Sequence, residues 1–308
     1  MPPPYLGPQE LRNALSMKDA IDALDDAFSG VLPTAPPRSH LDVGRGDLLL
    51  MPAWSDALGT GVKLVTVAPD NPAAGLPLIH GVYVLFDSES LHPAALLDGA
   101  ALTGTRTAAV SAVATRHLAR PGSRTLLVFG GGTQGLAHIE AIAEVLPKLE
   151  RVLCVSRSAP SAKRLVDRAA QLGFRAEAAS PDAVELADVV CTCTTSSSPL
   201  FNGAHLRAGA HVNAVGSYEP NARELDDAVI ARSKVFVEVK EPALHEAGDL
   251  RLPVEAGVLD PGDVTELGDV AGGRAGGRSS VDDITVFKSV GVAFEDLVVA
   301  AAAVRGST

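Results

Sequence analysis

The chain has 308 residues, 46% of them hydrophobic, and a formal net charge of −11 from 26 basic and 37 acidic side chains. This acidic balance repels nucleic-acid phosphates and argues against a nucleic-acid partner. The sequence has no apolar run of about 20 residues, so no membrane span is predicted. Its start, Met1-Pro2-Pro3-Pro4-Tyr5, lacks the basic and apolar segments of a secretory signal. A soluble, cytoplasmic protein is therefore expected.

Cysteine is sparse in this sequence. Cys154, Cys191 and Cys193 each stand in an apolar, β-branched stretch. No group of cysteines and histidines has zinc-ligand spacing, so the sequence predicts buried, unreactive thiols and no metal site.

The sequence opens with an amphipathic helix and continues with strands. Ser16 and Asp19 form a near relative of a capping box, and apolar residues recur at helical spacing until Gly30 ends the helix. Gly and Pro clusters then separate short β-branched runs. Strands are predicted over residues 47–51, 61–67 and 80–87.

Two features at the end of this region bear on the later assignments. Lys63 shares a predicted strand face with Val65 and Val67, and a lysine is unusual on an apolar face. Thr103 is predicted to be the N-cap of a helix that runs to about Arg120.

Beyond residue 120, short apolar strands alternate with helices. Strands are predicted over residues 125–129, 151–155, 188–194, 211–215 and 234–239. Helices are predicted over residues 135–146, 159–172 and, at the end of the chain, 288–304. Continuous apolar strands in this alternation indicate a parallel sheet covered by helices on both faces. The predicted fold class is α/β, with a Rossmann-type doubly wound parallel sheet inserted into a mixed α+β domain.

A glycine-rich turn joins the first of these strands to its helix. Gly130, Gly132 and Gly135 follow the strand directly, in the segment that also contains Thr133 and Gln134. In this context the first glycine allows a tight turn, the second lets the backbone approach a pyrophosphate, and the third lets the helix pack on the strand. The N-terminus of the helix then directs its N–H groups at the phosphates. The sequence predicts a nicotinamide dinucleotide site.

The end of the second strand indicates which dinucleotide is bound. Enzymes that use NAD place Asp or Glu there for the ribose hydroxyls, but this chain has Ser156, Arg157 and Ser158, with Ser161 close behind. Arg157 is suited to a 2′-phosphate, to which the serines can donate. NADPH is therefore the predicted cofactor, with NADH as the alternative.

Eight short blocks across the chain together resemble the ornithine cyclodeaminase/mu-crystallin family, and the Δ1-pyrroline-2-carboxylate (ketimine) reductase branch of it most closely. The blocks are Met51–Trp54, Gly61–Lys63, Arg106–Ala112, Gly130–Gln134, His211–Gly216, Glu224–Asp226, Glu246–Asp249 and Thr285–Ser289. They follow the family's order, and their sum is more specific than any one of them.

The resemblance implies how the chain is organised. Residues 1–115, completed by a C-terminal helix at 288–308, would form a substrate-binding and dimerisation domain. Residues 116–287 would form the NAD(P)-binding Rossmann domain. Family members pair through the N-terminal sheet, so a homodimer is implied here too.

The resemblance also implies the roles of individual residues. Arg38, Lys63 and Arg106 match the positions that hold the substrate's α-carboxylate, and Lys63 and Arg106 are the catalytic candidates. Glu246 matches a substrate-pocket position. The implied cofactor contacts beyond the glycine turn and the 156–161 segment are Arg106, Thr107, Thr194, Thr195, Val215 and Ser289.

Two departures from the family's pattern bear on the reaction. Cyclodeaminases carry an acidic residue before their Met-Pro pair, where this chain has Leu49-Leu50. They and the related alanine dehydrogenases also carry a catalytic Asp where this chain has Tyr218, and the neighbouring Glu219 should point elsewhere. Without that base, ornithine cyclisation is disfavoured.

The predicted function is the NADPH-dependent reduction of a small cyclic α-imino acid to the L-amino acid, with Lys63 as the first candidate for the proton donor. One alternative is an ornithine cyclodeaminase or an alanine-type amino-acid dehydrogenase. A second is a crystallin-type protein that binds a dinucleotide and a small ligand without turnover. A third is a dehydrogenase that acts on larger amino-acid conjugates.

Overall fold

The computed structural model describes residues 2–307. The chain divides into two units, Met1–Arg106 with Gly291–Thr308, and Thr107–Val290. Among the described residues, no helix is both long and apolar enough to cross a bilayer. The assignment of a substrate-binding and a cofactor-binding domain stays a prediction.

The first unit is built on a six-stranded sheet with the order β1-β6-β5-β4-β3-β2. Its strands are β1 (Tyr5–Leu6), β2 (Ser39–Asp42), β3 (Asp47–Ser55), β4 (Gly59–Val67), β5 (Ile79–Phe86) and β6 (Pro93–Asp98). β1 pairs with β6 in parallel, and the other pairs are antiparallel. Alternate residues of β3 and β4 are buried, which places Lys63 on the same buried face as Val65.

Three helices complete this unit: α1 (Pro8–Ala14), α2 (Met17–Ser29) and α10 (Ala293–Gly306). The Ser16 hydroxyl caps α2 by accepting from the backbone N–H of Asp19 at 3.1 Å, so the predicted cap is confirmed. α10 packs on α2 and on β3, β4 and β5, which explains why one face of the sheet is buried.

The other face of this sheet is apolar as well. Leu50, Leu64 and Val82 form one cross-strand row, and Val62 and Val84 lie in the next. All five side chains are only half-buried within the described unit. Apolar side chains in adjacent rows form a continuous hydrophobic surface, which is typical of an interaction face.

Helix α3 (Gly99–Leu118) begins four residues before the predicted N-cap. Thr103 lies inside the helix and donates its hydroxyl to the carbonyl of Gly99 at 2.7 Å. The side chain of Asp98, at the end of β6, accepts from the backbone N–H of Ala101 at 2.8 Å and takes the capping role. The prediction of Thr103 as the N-cap is therefore wrong.

The second unit contains an eight-stranded parallel sheet in the order β13-β12-β14-β11-β10-β7-β8-β9. Its strands are β7 (Thr125–Phe129), β8 (Arg151–Val155), β9 (Arg175–Ala178), β10 (Val189–Thr192), β11 (His211–Ala214), β12 (Ser233–Val237), β13 (Thr265–Glu266) and β14 (Ile284–Lys288). The strand order reverses between β7 and β10, which is where a doubly wound sheet binds its ligand.

Six helices accompany this sheet: α4 (Thr133–Val145), α5 (Ala159–Gln171), α6 (Asp227–Ala231), α7 (Lys240–Glu246), α8 (Gly248–Glu255) and α9 (Leu267–Ala271). The five predicted strands are present, with ends that differ by up to two residues. The crossover from β7 to β8 runs through α4, as the alternating pattern predicts, and α5 leads from β8 to β9, a short strand that the sequence analysis does not predict.

The C-terminal helix begins at Ala293, so its predicted start at Lys288 is wrong. Lys288 ends β14, a strand between β11 and β12 that the sequence analysis does not predict. The β-branched and aromatic run before Lys288 favours a strand. Gly291, at φ +76°, then turns the backbone before the helix starts.

Candidate active site

The glycine turn has the shape that a pyrophosphate requires. Gly130 has φ +104°, and a Cβ added to it would lie 2.4 Å from the carbonyl oxygen of Cys193. A Cβ on Gly135 would lie 1.9 Å from the carbonyl oxygen of Gly130. A Cβ on Gly132, the N-cap of α4, would meet nothing within 4 Å. Gly130 and Gly135 are thus required by internal packing, whereas the space above Gly132 is open.

This turn therefore fits a dinucleotide. The open approach at Gly132 lies at the start of α4, where Thr133 and Gln134 are the first two helical residues. A helix N-terminus with unobstructed backbone binds phosphate through its N–H groups and its dipole.

The end of β8 carries the residues predicted to contact the 2′-phosphate. Arg157 is exposed there, beside the half-buried Ser156. Ser158 caps α5 by accepting from the backbone N–H of Ser161 at 3.3 Å. The hydroxyl of Ser161 accepts from Arg164 Nη2 at 2.8 Å. Both distal serines therefore have a local structural role.

Arg164 is a member of this region that the sequence reading missed. Its Nη2 also donates to the carbonyl oxygen of Gly131 at 3.0 Å, and so connects α5 to the glycine turn. The sequence gives no signal for this role, because an arginine on an amphipathic helix is usually a solvated surface charge.

Lys63 is held by a buried carboxylate. Its side chain is 2% exposed, and Nζ donates to both carboxylate oxygens of Asp296, at 2.9 and 2.8 Å. The pKa of Lys63 is lowered to about 8, chiefly by burial and also by the nearby Arg106, whereas Asp296 opposes the shift. An ammonium with a pKa near neutrality can release its proton readily.

Arg106 contacts the first turn of α10, and Arg38 contacts the segment just before it. Arg106 Nη1 donates to Glu295 Oε2 at 2.8 Å, and its Nε lies 3.3 Å from Asp296. Arg38 Nη2 donates to the carbonyl oxygen of Gly291 at 2.8 Å. A Cβ on Gly291 would lie 2.4 Å from Arg106 Nη1, so a glycine is needed there. The structure thus brings the three predicted carboxylate-binding cations together.

Glu295 and Asp296 are buried members of this cluster that the sequence reading missed. Both are fully buried, and they balance the charges of Lys63 and Arg106. In the sequence, these two residues stand out as adjacent acids in an otherwise apolar helix. Acids in a first helical turn are commonly explained by the helix dipole alone, which makes that signal easy to overlook.

Tyr83 explains the glycine of the Gly61–Lys63 block. Tyr83 is fully buried and lies opposite Lys63 in the β4–β5 register. A Cβ on Gly61 would lie 1.9 Å from the Tyr83 hydroxyl, so only glycine leaves room for this ring. Burial, together with the charge of Asp296, raises the pKa of Tyr83 well above its usual value, and the ring stays a neutral phenol.

The residues predicted around the nicotinamide follow the carboxyl ends of three adjacent strands. Thr194 and Thr195 follow β10, Val215 follows β11, and Ser289 follows β14. The Thr194 hydroxyl donates to the buried carboxylate of Glu224 at 2.6 Å. Burial raises the pKa of Glu224, and Lys288 and two threonine hydroxyls oppose that shift.

The remaining predicted residues are placed as follows. Tyr218 is 37% exposed on the loop after β11, next to the exposed Glu219. Glu246 is the half-buried last residue of α7, in the second unit. Thr107 is buried in α3, and Leu49 is buried in β3. The ligand contacts of all these residues stay predictions.

Two of the three cysteines are buried as predicted, but Cys193 is half-buried, so the prediction of a buried thiol is wrong for Cys193. Cys154 and Cys191 are buried, and burial raises the pKa of each thiol to about 12. In the part of the chain that the structure describes, no group of three or more His, Cys, Asp or Glu side chains could hold a metal ion.

Comparison with known proteins identifies the family of this chain. The model of the ornithine cyclodeaminase/mu-crystallin family matches residues 7–307. The chain belongs to this family. The family predicted from the eight sequence blocks is therefore confirmed.

Three relatives are similar over nearly their whole length. The Δ1-pyrroline-2-carboxylate reductase of Bacillus cereus is 38% identical, over 94% of this chain and 92% of that protein. The structure of the Thermococcus litoralis Δ1-pyrroline-2-carboxylate reductase in complex with NADH and L-proline has a TM-score of 0.94 and 33% identity, over 98% and 96% of the two chains. An archaeal alanine dehydrogenase dimer with bound NAD has a TM-score of 0.92 and 30% identity, over 99% and 95%.

These similarities confirm the predicted fold class. Because the chain covers almost all of each relative, the likeness extends over both units and is not limited to the sheet of the second unit.

Proposed function

We propose that this protein reduces Δ1-pyrroline-2-carboxylate or Δ1-piperideine-2-carboxylate to the L-amino acid, with NADPH as the electron donor. The observation that carries the proposal is the buried Lys63–Asp296 pair, a proton donor with a pKa of about 8 next to Arg106. The reductase activity named for the Bacillus cereus and Thermococcus litoralis relatives supports the reaction.

Arg38 and Arg106 would bind the substrate's carboxylate. A guanidinium presents several donors in a fixed plane and can bind two carboxylate oxygens at once. Arg38 donates to a backbone carbonyl and Arg106 donates to Glu295, so both side chains are oriented before a ligand arrives. This orientation would bring the imine into near-attack geometry at little entropic cost.

Lys63 would protonate the imine nitrogen. The reaction adds one hydride to the imine carbon and one proton to the nitrogen. The C=N double bond becomes a single bond, and the neutral amine of Lys63 then regains a proton from water. Asp296 would keep Lys63 oriented through its two hydrogen bonds. The Tyr83 phenol beneath the cluster stays protonated and adds no charge.

The glycine turn would hold a reduced nicotinamide dinucleotide, which would supply the hydride. Tyr218 supports imine reduction over deamination, because a tyrosine at this position cannot act as the carboxylate base that an amine substrate needs. Leu49 and Leu50 likewise offer no acid to a second amine.

The preference for NADPH would come from Arg157. Replacing it with alanine should raise the KM for NADPH about tenfold or more and leave the KM for NADH nearly unchanged, because only NADPH carries the phosphate. Lys163→Ala is a matched control, since Lys163 is exposed on α5 and pairs with Asp167 at 2.7 Å. Equal changes for both dinucleotides, or a wild-type enzyme that prefers NADH, would remove the NADPH assignment.

We also propose a homodimer that pairs through the apolar outer face of the first unit's sheet. The cross-strand rows of Leu50, Leu64 and Val82 and of Val62 and Val84 support it, since a stable interface needs a contiguous apolar centre. The archaeal alanine dehydrogenase is described as a dimer.

The proposed function is tested with a panel of candidate substrates. The oxidation of NADPH is measured with each substrate by its absorbance at 340 nm. Turnover with the cyclic imines supports the proposal. Turnover with pyruvate and ammonia alone would move the assignment to an alanine-type dehydrogenase. Ammonia release from ornithine would move it to a cyclodeaminase. Tight dinucleotide binding without turnover of any substrate would leave a crystallin-type binding protein.

A further inference from the structure

One buried carboxylate joins the ends of two neighbouring strands in the second unit. Glu224 is fully buried. Its Oε1 accepts from the backbone N–H and the hydroxyl of Thr194, at 2.8 and 2.6 Å. Its Oε2 accepts from the hydroxyl of Thr192 and the backbone N–H of Gly216, at 2.6 and 2.9 Å. Thr192 ends β10 and Gly216 lies two residues beyond β11, so a single side chain ties both strand ends.

Gly216 is adapted to this carboxylate. A Cβ at this position would lie 2.5 Å from Glu224 Oε1 and 2.2 Å from the carbonyl oxygen of Thr194. Only glycine therefore lets the segment after β11 approach the segment after β10 this closely. Gly216, which ends the His211–Gly216 block, and Glu224, which begins the Glu224–Asp226 block, thus belong to one hydrogen-bonded cluster.

Two further buried charged side chains hold Glu224 in place and extend this hydrogen-bonded cluster to a third strand. Asp249 Oδ1 accepts from the backbone N–H groups of Glu224 and Leu225, at 2.7 and 2.9 Å. Asp249 Oδ2 lies 3.0 Å from Nζ of Lys288, the last residue of β14. Lys288 also donates to the carbonyl oxygen of Ser217, beyond β11. Asp249 and Lys288 are both fully buried.

The residues that follow these three strand ends are those predicted to surround the nicotinamide. They are Thr194, Thr195, Val215 and Ser289. In a doubly wound sheet, ligands lie outside the carboxyl ends of the strands. β10, β11 and β14 lie on one side of the reversal of strand order, and β8, which leads to Arg157, lies on the other.

We propose that Glu224, fixed by Asp249 and Lys288, is a positioning residue that sets the nicotinamide-binding ends of β10 and β11 without touching the cofactor. The inference rests on the proposed function only in assigning the nicotinamide half to these strand ends. Both oxygens of Glu224 accept a backbone N–H. A glutamine would therefore turn its NH₂ group toward an N–H donor in either orientation and release one strand end.

The test compares the binding of the whole dinucleotide with the binding of its adenosine half. In Glu224→Gln, the dissociation constant for NADPH should rise about tenfold, whereas that for 2′,5′-ADP should stay within about a factor of two of wild type. Thr192→Val is a milder variant of nearly the same shape. It removes only the hydroxyl that donates to Oε2, and should give a smaller loss of the same selectivity.

A matched control lies at the opposite, amino-terminal ends of β10 and β7 in the same sheet. Asp188 is also buried, and its Oδ2 accepts from the backbone N–H groups of Arg124 and Thr125, at 2.8 and 3.0 Å. Asp188→Asn should lower the unfolding temperature. It should not change the dissociation constant for NADPH relative to that for 2′,5′-ADP. If Glu224→Gln or Thr192→Val weakened both ligands equally, or neither, the positioning role would be overturned. Because the assay needs no substrate, a failure to reduce imines is a separate result; a wild-type protein that binds no dinucleotide would overturn both.

Discussion

Lys63 combines deep burial with a partner that keeps it charged. Because burial lowers its pKa to about 8, the ammonium form predominates below that pH and is lost above it. We expect kcat/KM for imine reduction to fall about tenfold per pH unit above pH 8. Lys63→Arg should keep the charge but lower kcat by about 100-fold or more, since a guanidinium does not release its proton. A wild-type profile that is flat to pH 10 would contradict the donor role.

Arg106 has a structural as well as a functional role. Arg106→Met would remove a guanidinium that pairs with the buried carboxylates of Glu295 and Asp296, at a cost of about 3–5 kcal/mol in the free energy of unfolding. The inactivity of that variant alone would therefore be ambiguous.

The double variant Arg106→Met with Glu295→Gln separates the two roles, because it removes one charge of each sign. It should recover much of the lost stability in urea unfolding while remaining inactive toward the cyclic imine. Activity close to wild type in the double variant would show that Arg106 does not bind the substrate carboxylate.

At the scale of single residues, the sequence predicts groups that stand out and misses their partners. Lys63 is recognisable because a lysine on an apolar strand is costly. Asp296, which compensates that cost, comes from a helix 233 residues further along the chain. Its identity as the partner follows only from packing α10 on β4.

At the scale of the element, the glycine turn offers a comparison between two alanine substitutions. Gly132→Ala meets no atom within 4 Å, so the unfolding temperature should change little, but the added methyl group should raise the dissociation constant for NADPH about tenfold. Gly130→Ala forces a strained φ and a contact at 2.4 Å, and should also destabilise the fold. Calorimetry and dinucleotide titration on both variants check this. Unchanged binding in Gly132→Ala would place the pyrophosphate elsewhere.

Strands with continuous apolar runs are predictable from the sequence, and element boundaries are less so. Strand β8 matches its predicted range, Arg151–Val155. Helix α3 begins early because Asp98 is the better-placed cap. Strand β14 is not predicted from the sequence, because its pairing with β11 and β12 depends on contacts distant in sequence. Only its last residue, Lys288, falls in the last predicted helix.

At the scale of the whole molecule, the proposed dimer can be tested through its sheet face. We expect sedimentation at about twice the 31.6 kDa chain mass. Val62→Lys should shift the protein toward the monomer, because it would bury a charge at the centre of the interface. Val31→Lys is the control, since Val31 is 96% exposed and lies outside the sheet. A monomeric wild type would contradict the proposal.

The central claim is that a hydride passes from the nicotinamide to the carbon of a cyclic imino acid. The most direct measurement uses NADPH deuterated at C4, in each stereoisomer, with Δ1-pyrroline-2-carboxylate and the purified protein. Mass spectrometry and NMR should find one deuterium at C2 of L-proline from one stereoisomer and none from the other. Proline without deuterium from either stereoisomer, or no reduction of this imine or of Δ1-piperideine-2-carboxylate, would contradict the account.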